Sequence, residues 1–353
     1  AGSELVATPP AGGESAPVRS LFPARVRLVG IQPDFSLKLL ASNPEMSYSD
    51  RTMSLGTLLG DSTKALQQTP PGVNPIKGHV GGTLPTVVVW PESVYPLPFT
   101  DKGDWAPQAP VMANAVREWT ALRRIHLVMA SMEVAPSLDS QGRWNGWDYF
   151  GAAIHVSPDE KPLELYRKIF LIPFGETIPF GDWFPTYRAL LKSWIPQISE
   201  FKSGTDYTVF NIAPGVTAAP LICFDATRPD ITRGMVERGA NLGVVMANLA
   251  WFGKTGASPQ FAQYVRFRAM ENRIPIFLVA QSGESVLINR LGREASPKLP
   301  LFEAGSVAAA VTLWPGGGFY TRYGFWVELG FLLGLGVALG VLLKPKMKHL
   351  RGG

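Results

Sequence analysis

With 353 residues, 46% of them hydrophobic, the chain is long enough to bury a sizeable core and apolar enough to make a membrane element worth seeking. The net charge of +5 permits contact with anionic lipid or nucleic acid, but the 33 Lys and Arg are scattered rather than clustered with aromatics, so no nucleic-acid partner is expected. The single cysteine excludes an intrachain disulfide framework and any multi-cysteine metal site.

Residues 1–22 are rich in Pro, Gly, Ser and Ala and lack the charged start and apolar run of an intact signal peptide, so they read as a flexible lead-in or the remnant of a cut in a longer protein. From Ala24, VRLVGIQPD reads as a short apolar strand ending at a turn. Residues 43–83 read as a helix or turn around MSYSDRTMSLGTLL followed by the loop QQTPPGVNPIKGHVGG, and TVVVWPES as a buried strand with Pro-Glu at its end. MANAVREWTALRR has helical spacing, while IHLVMASMEV, GAAIHVS and YRKIFLIPFGE read as strands. YTVFNI and APLICFDATRPD predict two more, the second ending at the cysteine; DITRGMVERGA is helical, LGVVMANLA a strand and FAQYVRFRAMENR a helix. IPIFLVAQSG and ESVLINRLG complete the series as strands that fit a hairpin. This alternation favours a layered α/β domain over residues 23–320, with its chemistry on the loops after strands. No internal repeat, GxGxxG or GxxxxGK[ST] motif occurs.

The C-terminal segment differs. Residues 325–343 run for 19 positions with one charge, Glu328, close to the length that crosses a hydrocarbon layer of roughly 30 Å. A transmembrane helix at 323–343 is expected, followed by a basic tail at 344–353 whose Lys344, Lys346, Lys348 and Arg351 place it on the cytoplasmic side. Tyr323 and Trp326 would sit at the opposite interface, and the main domain would lie outside. Gly330, Gly334, Gly336 and Gly340 fit close packing against other membrane helices. The competing reading is a core helix of the soluble domain.

Cys223 ends an apolar strand, where it can be exposed at the strand's carboxyl edge and where a following helix could lend amides to a thiolate. A lone cysteine is equally a small core residue. Glu92 follows Trp-Pro at a strand end, and an acidic residue there is costly if buried without purpose. Lys168 precedes IFLIPFGE, which ends in Glu176. If these converge, Glu92 can take the thiol proton and return it to a leaving group, Cys223 can attack an ester or amide carbonyl, and Lys168 with the amide of Phe224 can stabilise the oxyanion. Surface placement is the alternative for the lysine and both glutamates.

The ordered set VVVWPES, RKIFLIPFGETIPF, PLICFDATRPD, NLAWFG and RFRAMENRIPI resembles the carbon-nitrogen hydrolase (nitrilase) superfamily, and within it the bacterial apolipoprotein N-acyltransferases, over about residues 25–343. The resemblance implies an α-β-β-α sandwich, a Glu92-Lys168-Cys223 triad and a supporting role for Glu176. It implies acyl transfer from a phospholipid to Cys223 as a thioester, then to the α-amino group of the diacylglyceryl-cysteine of an apolipoprotein, a ping-pong scheme. The protein would act as a monomer, with no cofactor or metal, at the bacterial inner membrane with its catalytic domain on the periplasmic or extracytoplasmic side. Phe180, Trp183, Phe184 and Trp194, in the aromatic stretch TIPFGDWFPTYRALLKSWIP, match a membrane-near region of the family; they either touch acyl chains or pack a helix face. Trp251 and Phe252 match a loop beside the active site.

Several departures stand out. Asp225 occupies a position where the family usually has glutamate, NLAWFG lacks the family's aspartate, Gln260-Phe261 replaces Gln-His, and DYFGAAIHV lacks an asparagine after its tyrosine. The membrane helices that precede the family's catalytic domain are absent from this sequence, which favours its being a portion of a longer enzyme. His79, His126, His155 and His349 are too dispersed to read as a metal cluster. A membrane-anchored amidase using water as acceptor, and a silent scaffold, are the competing functions.

Overall fold

A computed structural model describes residues 23–36, 46–68, 84–99, 108–159, 161–181, 183–195 and 198–349. The lead-in at 1–22, the loop at 69–83 with His79, and Arg351 lie outside the described residues. In chain order the elements are β1 (Ala24–Gln32), α1 (Tyr48–Gln67), β2 (Thr86–Trp90), α2 (Ala109–Arg123), β3 (His126–Leu138), β4 (Trp144–Val156), β5 (Glu164–Arg167) and α3 (Pro185–Trp194). They continue with β6 (Phe210–Ala213), β7 (Val216–Ile222), α4 (Pro229–Glu237), β8 (Leu242–Ala247), α5 (Ala257–Asn272), β9 (Ile276–Ala280), β10 (Val286–Ile288), β11 (Gly305–Leu313) and α6 (Phe319–His349).

Two mixed sheets stack face to face. One has the order β11-β1-β2-β3-β4-β5, the other β10-β9-β8-β7-β6. In the first, β1, β2 and β3 run parallel; in the second, β7, β8 and β9 do. The two-residue side-chain period sorts the strands: Val87 and Val89 face the second sheet, while Val88 and Trp90 pack outward with Leu55 and Leu58 of α1 and Met112, Val116 and Trp119 of α2. On the far side Ile231 and Met235 of α4 and Phe261, Val265 and Ala269 of α5 cover the second sheet. The four layers are helix, sheet, sheet, helix, the expected α-β-β-α sandwich. The sheets approach so closely that a Cβ on Gly30 would lie 2.7 Å from Val279 Cγ2 and 2.8 Å from Phe277 Cζ, which is why the apolar run of β1 is broken there by glycine.

Three elements differ from the sequence reading. IFLIPFGE is not a strand: β5 ends at Arg167, and the amides of Gly175, Glu176 and Thr177 all fold back onto the Ile172 carbonyl. Pro173 supplies no donor and Phe174 takes φ 62°, so the apolar residues form a tight turn rather than a ladder. GSVAAAVTL, unassigned in the sequence, is β11, paired antiparallel with β1 along its whole length. Its small alanines give little strand propensity of their own, and the pairing with β1 supplies what propensity lacks. The helix α3 was likewise unassigned.

The C-terminal helix α6 is an extended rod rather than a core element: residues Phe319–Leu343 are apolar and long enough to span a membrane, and none of its most apolar 18-residue stretch is buried. The core-helix alternative is therefore overturned. Only its first turns touch the domain. Gly316, just before it, abuts Val236 at the end of α4, Tyr320 lies under the Arg233 guanidinium, and Glu328 reaches Arg233 at 3.6 Å. Thr321 adds a hydrogen bond to Asn272 Oδ1 at the end of α5, at 3.1 Å. Gly330, Gly334, Gly336 and Gly340 face open space.

Candidate active site

The parallel strands of both sheets deliver their carboxyl ends to one rim. Glu92 follows β2, Cys223 follows β7 and Asn248 follows β8, so residues 156 apart in sequence meet: the Asn248 backbone N–H donates to Glu92 Oε2 at 3.1 Å. Across the rim, the Lys168 ammonium donates to Glu92 Oε1 at 3.2 Å and to Glu176 Oε1 at 2.6 Å. The turn that replaces the expected strand explains how Glu176 gets there, because it doubles back eight residues after Lys168 and receives the Ile172 amide on Oε2 at 3.0 Å.

Lys168 is held as tightly as its charge requires. Its side chain is 1% exposed, its backbone N–H donates to Gly151 O and its carbonyl accepts from Gly204 N, both at 2.8 Å. A Cβ at Gly204 would sit 2.3 Å from the Arg167 carbonyl, so only glycine lets this chain segment close on Lys168. Burial alone would lower the lysine's pKa, but Glu92, Cys223, Glu176 and Asp225 outweigh it and hold the group above its ordinary value, so it stays cationic.

Cys223 sits at the junction of β7 and a short 3-10 turn, Cys223–Thr227, with φ 48° and 2% exposure. A non-glycine residue in the left-handed region costs roughly 1–3 kcal/mol, a strain found at reactive positions held by their surroundings. Asp225 supplies that hold. Fully buried, it accepts from Phe170 N at 2.8 Å, Tyr166 Oη at 2.9 Å and Ile222 N at 3.1 Å, tying the cysteine turn to the segment after Lys168. Its side chain is thus spent on backbone and tyrosine donors. Burial, partly offset by Lys168 and these hydrogen bonds, raises its pKa to about 6.

The expected thiolate is not the resting form. Burial and then the charge of Glu92 push the Cys223 thiol well above its usual pKa, against the opposing pull of Lys168. The 3-10 turn is too short to supply a helix field that would reverse this. A neutral thiol beside a base must lose its proton during attack, so the arrangement suits general-base activation rather than a stored thiolate.

The aromatic candidates divide. Phe180, Trp183 (76% exposed), Phe184 and Trp194 (72% exposed) all project to the outside, and α3 buries no residue at all, so ordinary helix-face packing does not describe them. Trp251 is exposed on the turn after β8, whereas Phe252 packs inward against Phe224, ring centroids 6.1 Å apart. Asn248 was missed. The available signal was a polar residue closing the apolar strand LGVVMA, as Glu92 and Cys223 close theirs.

The chain is similar to several known proteins. Over 238 residues the chain is 29% identical to an apolipoprotein N-acyltransferase of Geobacter metallireducens, covering 67% of this chain and 42% of that protein. Over 230 residues it is 30% identical to one of Borreliella burgdorferi, covering 65% and 42%. The chain therefore spans less than half the length of these curated relatives. Among solved structures, an amidase of Nesterenkonia sp. AN1, with the acetamide moiety of fluoroacetamide on its active-site cysteine, superposes with a TM-score of 0.54 at 18% identity, covering 85% of this chain and 93% of that one. A Saccharomyces cerevisiae member of the nitrilase superfamily matches with a TM-score of 0.51 at 13% identity, covering 81% and 90%. The model of the carbon-nitrogen hydrolase family matches residues 86–313, a stretch that runs from β2 to the end of β11 and holds the whole rim, and the chain belongs to that family.

Proposed function

We propose that this chain carries acyl groups on Cys223 as a thioester and passes them to an amine, the donor being a phospholipid and the final acceptor the α-amino group of a diacylglyceryl-cysteine on an apolipoprotein. The observation that carries the chemistry is the cationic Lys168 held between Glu92 and Glu176 beside a buried neutral cysteine. Glu92 takes the thiol proton as Sγ attacks the acyl carbon, and Lys168 with the Phe224 amide balances charge on the acyl oxygen. The tetrahedral species collapses, the bond to the leaving group breaks, and Glu92 returns the proton to it. The amine then attacks the thioester with Glu92 again as base, the C–S bond breaks, and the proton passes from Glu92 back to the Cys223 sulfur. Glu176 holds Lys168, and Asp225 holds the turn that presents the cysteine.

Three features support a lipid donor. The helix α6 is long and apolar enough to span a bilayer, and its first turns pack on α4 at Val236 and Arg233. The exposed aromatics of 180–194 and Trp251 offer apolar contact. The curated relatives bear the acyltransferase name. By the positive-inside rule, the basic residues after 343 put the catalytic domain on the extracytoplasmic side.

Carbon-nitrogen bond hydrolysis, with water as acceptor, is the second reading, and the family match favours it without any appeal to a lipid. Intact mass spectrometry of the protein in phosphatidylethanolamine vesicles, beside Cys223→Ala, separates the two. An acyl adduct absent from the variant and discharged by a diacylglyceryl-cysteine peptide is expected. Absence of that adduct, with turnover of a simple amide, would establish the hydrolase instead.

A further inference from the structure

Asn248 closes β8 with its side chain only 2% exposed. Its backbone N–H is the group that meets Glu92 Oε2, and the same amide favours the ionised form of Cys223. Its side-chain Oδ1 accepts from Ala250 N at 3.2 Å. That bond fixes which end of the carboxamide is which, because a flip would set Nδ2 against the Ala250 N–H, donor against donor. The Nδ2 amino group is therefore a pure donor, fully buried, and among the described residues it has no hydrogen-bond partner. Buried amide groups are almost always satisfied, and one left unpaired on the residue whose backbone amide meets the Cys223 sulfur calls for an explanation.

The neighbouring donors sharpen it. Lys168 is already engaged by two carboxylates, so an acyl oxygen must compete with both for the ammonium. Asn248 Nδ2 faces no such competition, carries no charge that the general base could capture, and stands on a strand end rather than a mobile loop. An uncharged, pre-placed donor is the kind of group that stabilises developing charge without reorganisation.

The geometry points to Asn248 Nδ2 as a catalytic hydrogen-bond donor to the acyl oxygen of the substrate. The step balances as follows. The Cys223 Sγ–H proton passes to Glu92, the sulfur lone pair forms the S–C bond, and the carbonyl π pair moves onto the acyl oxygen, where Nδ2–H meets the negative charge. On collapse the C=O bond reforms, the C–O or C–N bond to the leaving group breaks, and the proton leaves Glu92 for that group. The same donor serves deacylation, which passes through a second oxyanion.

This rests on Cys223 being the nucleophile, and the test separates the two. In the detergent-solubilised full chain, acylation of Cys223 by p-nitrophenyl hexanoate is compared with its alkylation by iodoacetamide. Both need the thiol to ionise, but only acylation develops an oxyanion. Asn248→Ser keeps a side-chain oxygen able to accept from Ala250 N and deletes the carboxamide donor. A fall of about 10²-fold in its maximal acylation rate, with ester affinity, iodoacetamide rate and the pH profile of alkylation unchanged, is the expected result. Equal slowing of both reactions, or no slowing of acylation, would overturn the role of Asn248 while leaving Cys223 in place. Wild-type protein that gains no acyl group on Cys223 would overturn both readings.

Discussion

At the scale of single residues, the charge on Glu92 does two opposed things. In the proposed mechanism it accepts the proton of Cys223, yet its charge also raises the thiol pKa. Glu92→Gln removes both effects, so iodoacetamide should alkylate Cys223 faster than in the wild type at neutral pH, while acylation falls by roughly 10²–10⁴-fold for want of a base. Parallel losses in the two rates would mean that the glutamate acts on folding rather than on the proton. Asp225 gives a prediction in pH. Its folded pKa of about 6 lies above its ordinary 3.8, so between those values the folded chain keeps a proton that the unfolded chain has released. Stability contributed by that proton is present at low pH and is lost as pH rises through the window, by on the order of 2–3 kcal/mol. Denaturant unfolding between pH 4 and 6.5 should show this decline in the wild type and its disappearance in Asp225→Asn, whose carboxamide does not titrate. Glu92, Lys168, Glu176 and Cys223 could be singled out because each stands at the end of an apolar run and the set matches the motifs of the resembled family; their convergence was not legible from spacing. Nor was the resting protonation of Cys223, since it depends on which charges surround the sulfur in space, and two carboxylates flank one lysine there.

At the scale of elements, strands were read correctly where a short, continuous apolar run marks a buried strand, as in TVVVW and LGVVMA. The reading failed where apolar residues serve something other than a ladder. IFLIPFGE is apolar enough for a strand, but Pro173 and the turn onto Ile172 make it the arm that carries Glu176 back to Lys168. The helix α3 failed for the opposite reason: it has the length of a helix but no core to face. Its basic side is pinned by Glu200, which accepts from both Arg188 and Lys192, leaving Trp194 on the outside with Trp183 just before the helix. Because neither indole contributes to the core, Trp183→Ser combined with Trp194→Ser should change folding stability by no more than about 0.5 kcal/mol per site. The same double variant should acylate from phosphatidylethanolamine vesicles roughly tenfold more slowly, yet react with p-nitrophenyl hexanoate at the wild-type rate. Such selectivity is expected of side chains that sit in a lipid interface and touch neither base nor nucleophile.

At the scale of the whole molecule, the question is how the sandwich is oriented on the apolar helix that, as proposed, lies in a bilayer. An apolar rod alone fixes distance but not orientation, which depends on what sets the angle at the joint. The structure has such a device where α6 passes α4. Glu328 is the one acidic residue in the span, and a carboxylate near the hydrocarbon is costly unless paired. Here it accepts from the Tyr320 hydroxyl and lies 3.6 Å from Arg233, whose side chain is mostly buried on the domain. The pair therefore joins helix to domain at the edge of the expected hydrocarbon layer. Arg233→Ala should not release the protein from membranes, because the apolar length from 329 to 343 is untouched and alkaline carbonate should still fail to extract it. It should loosen the joint, so that phospholipid-derived acylation of Cys223 falls several-fold while acylation by the soluble ester is unchanged. Restoring the charge with Arg233→Lys should recover part of the lipid rate, since an ammonium can pair with Glu328 but cannot cover the Tyr320 ring as the planar guanidinium does. If both rates fell together in Arg233→Ala, the arginine would be acting through α4 on the cysteine turn, and the joint would have no part in bringing the site to its lipid.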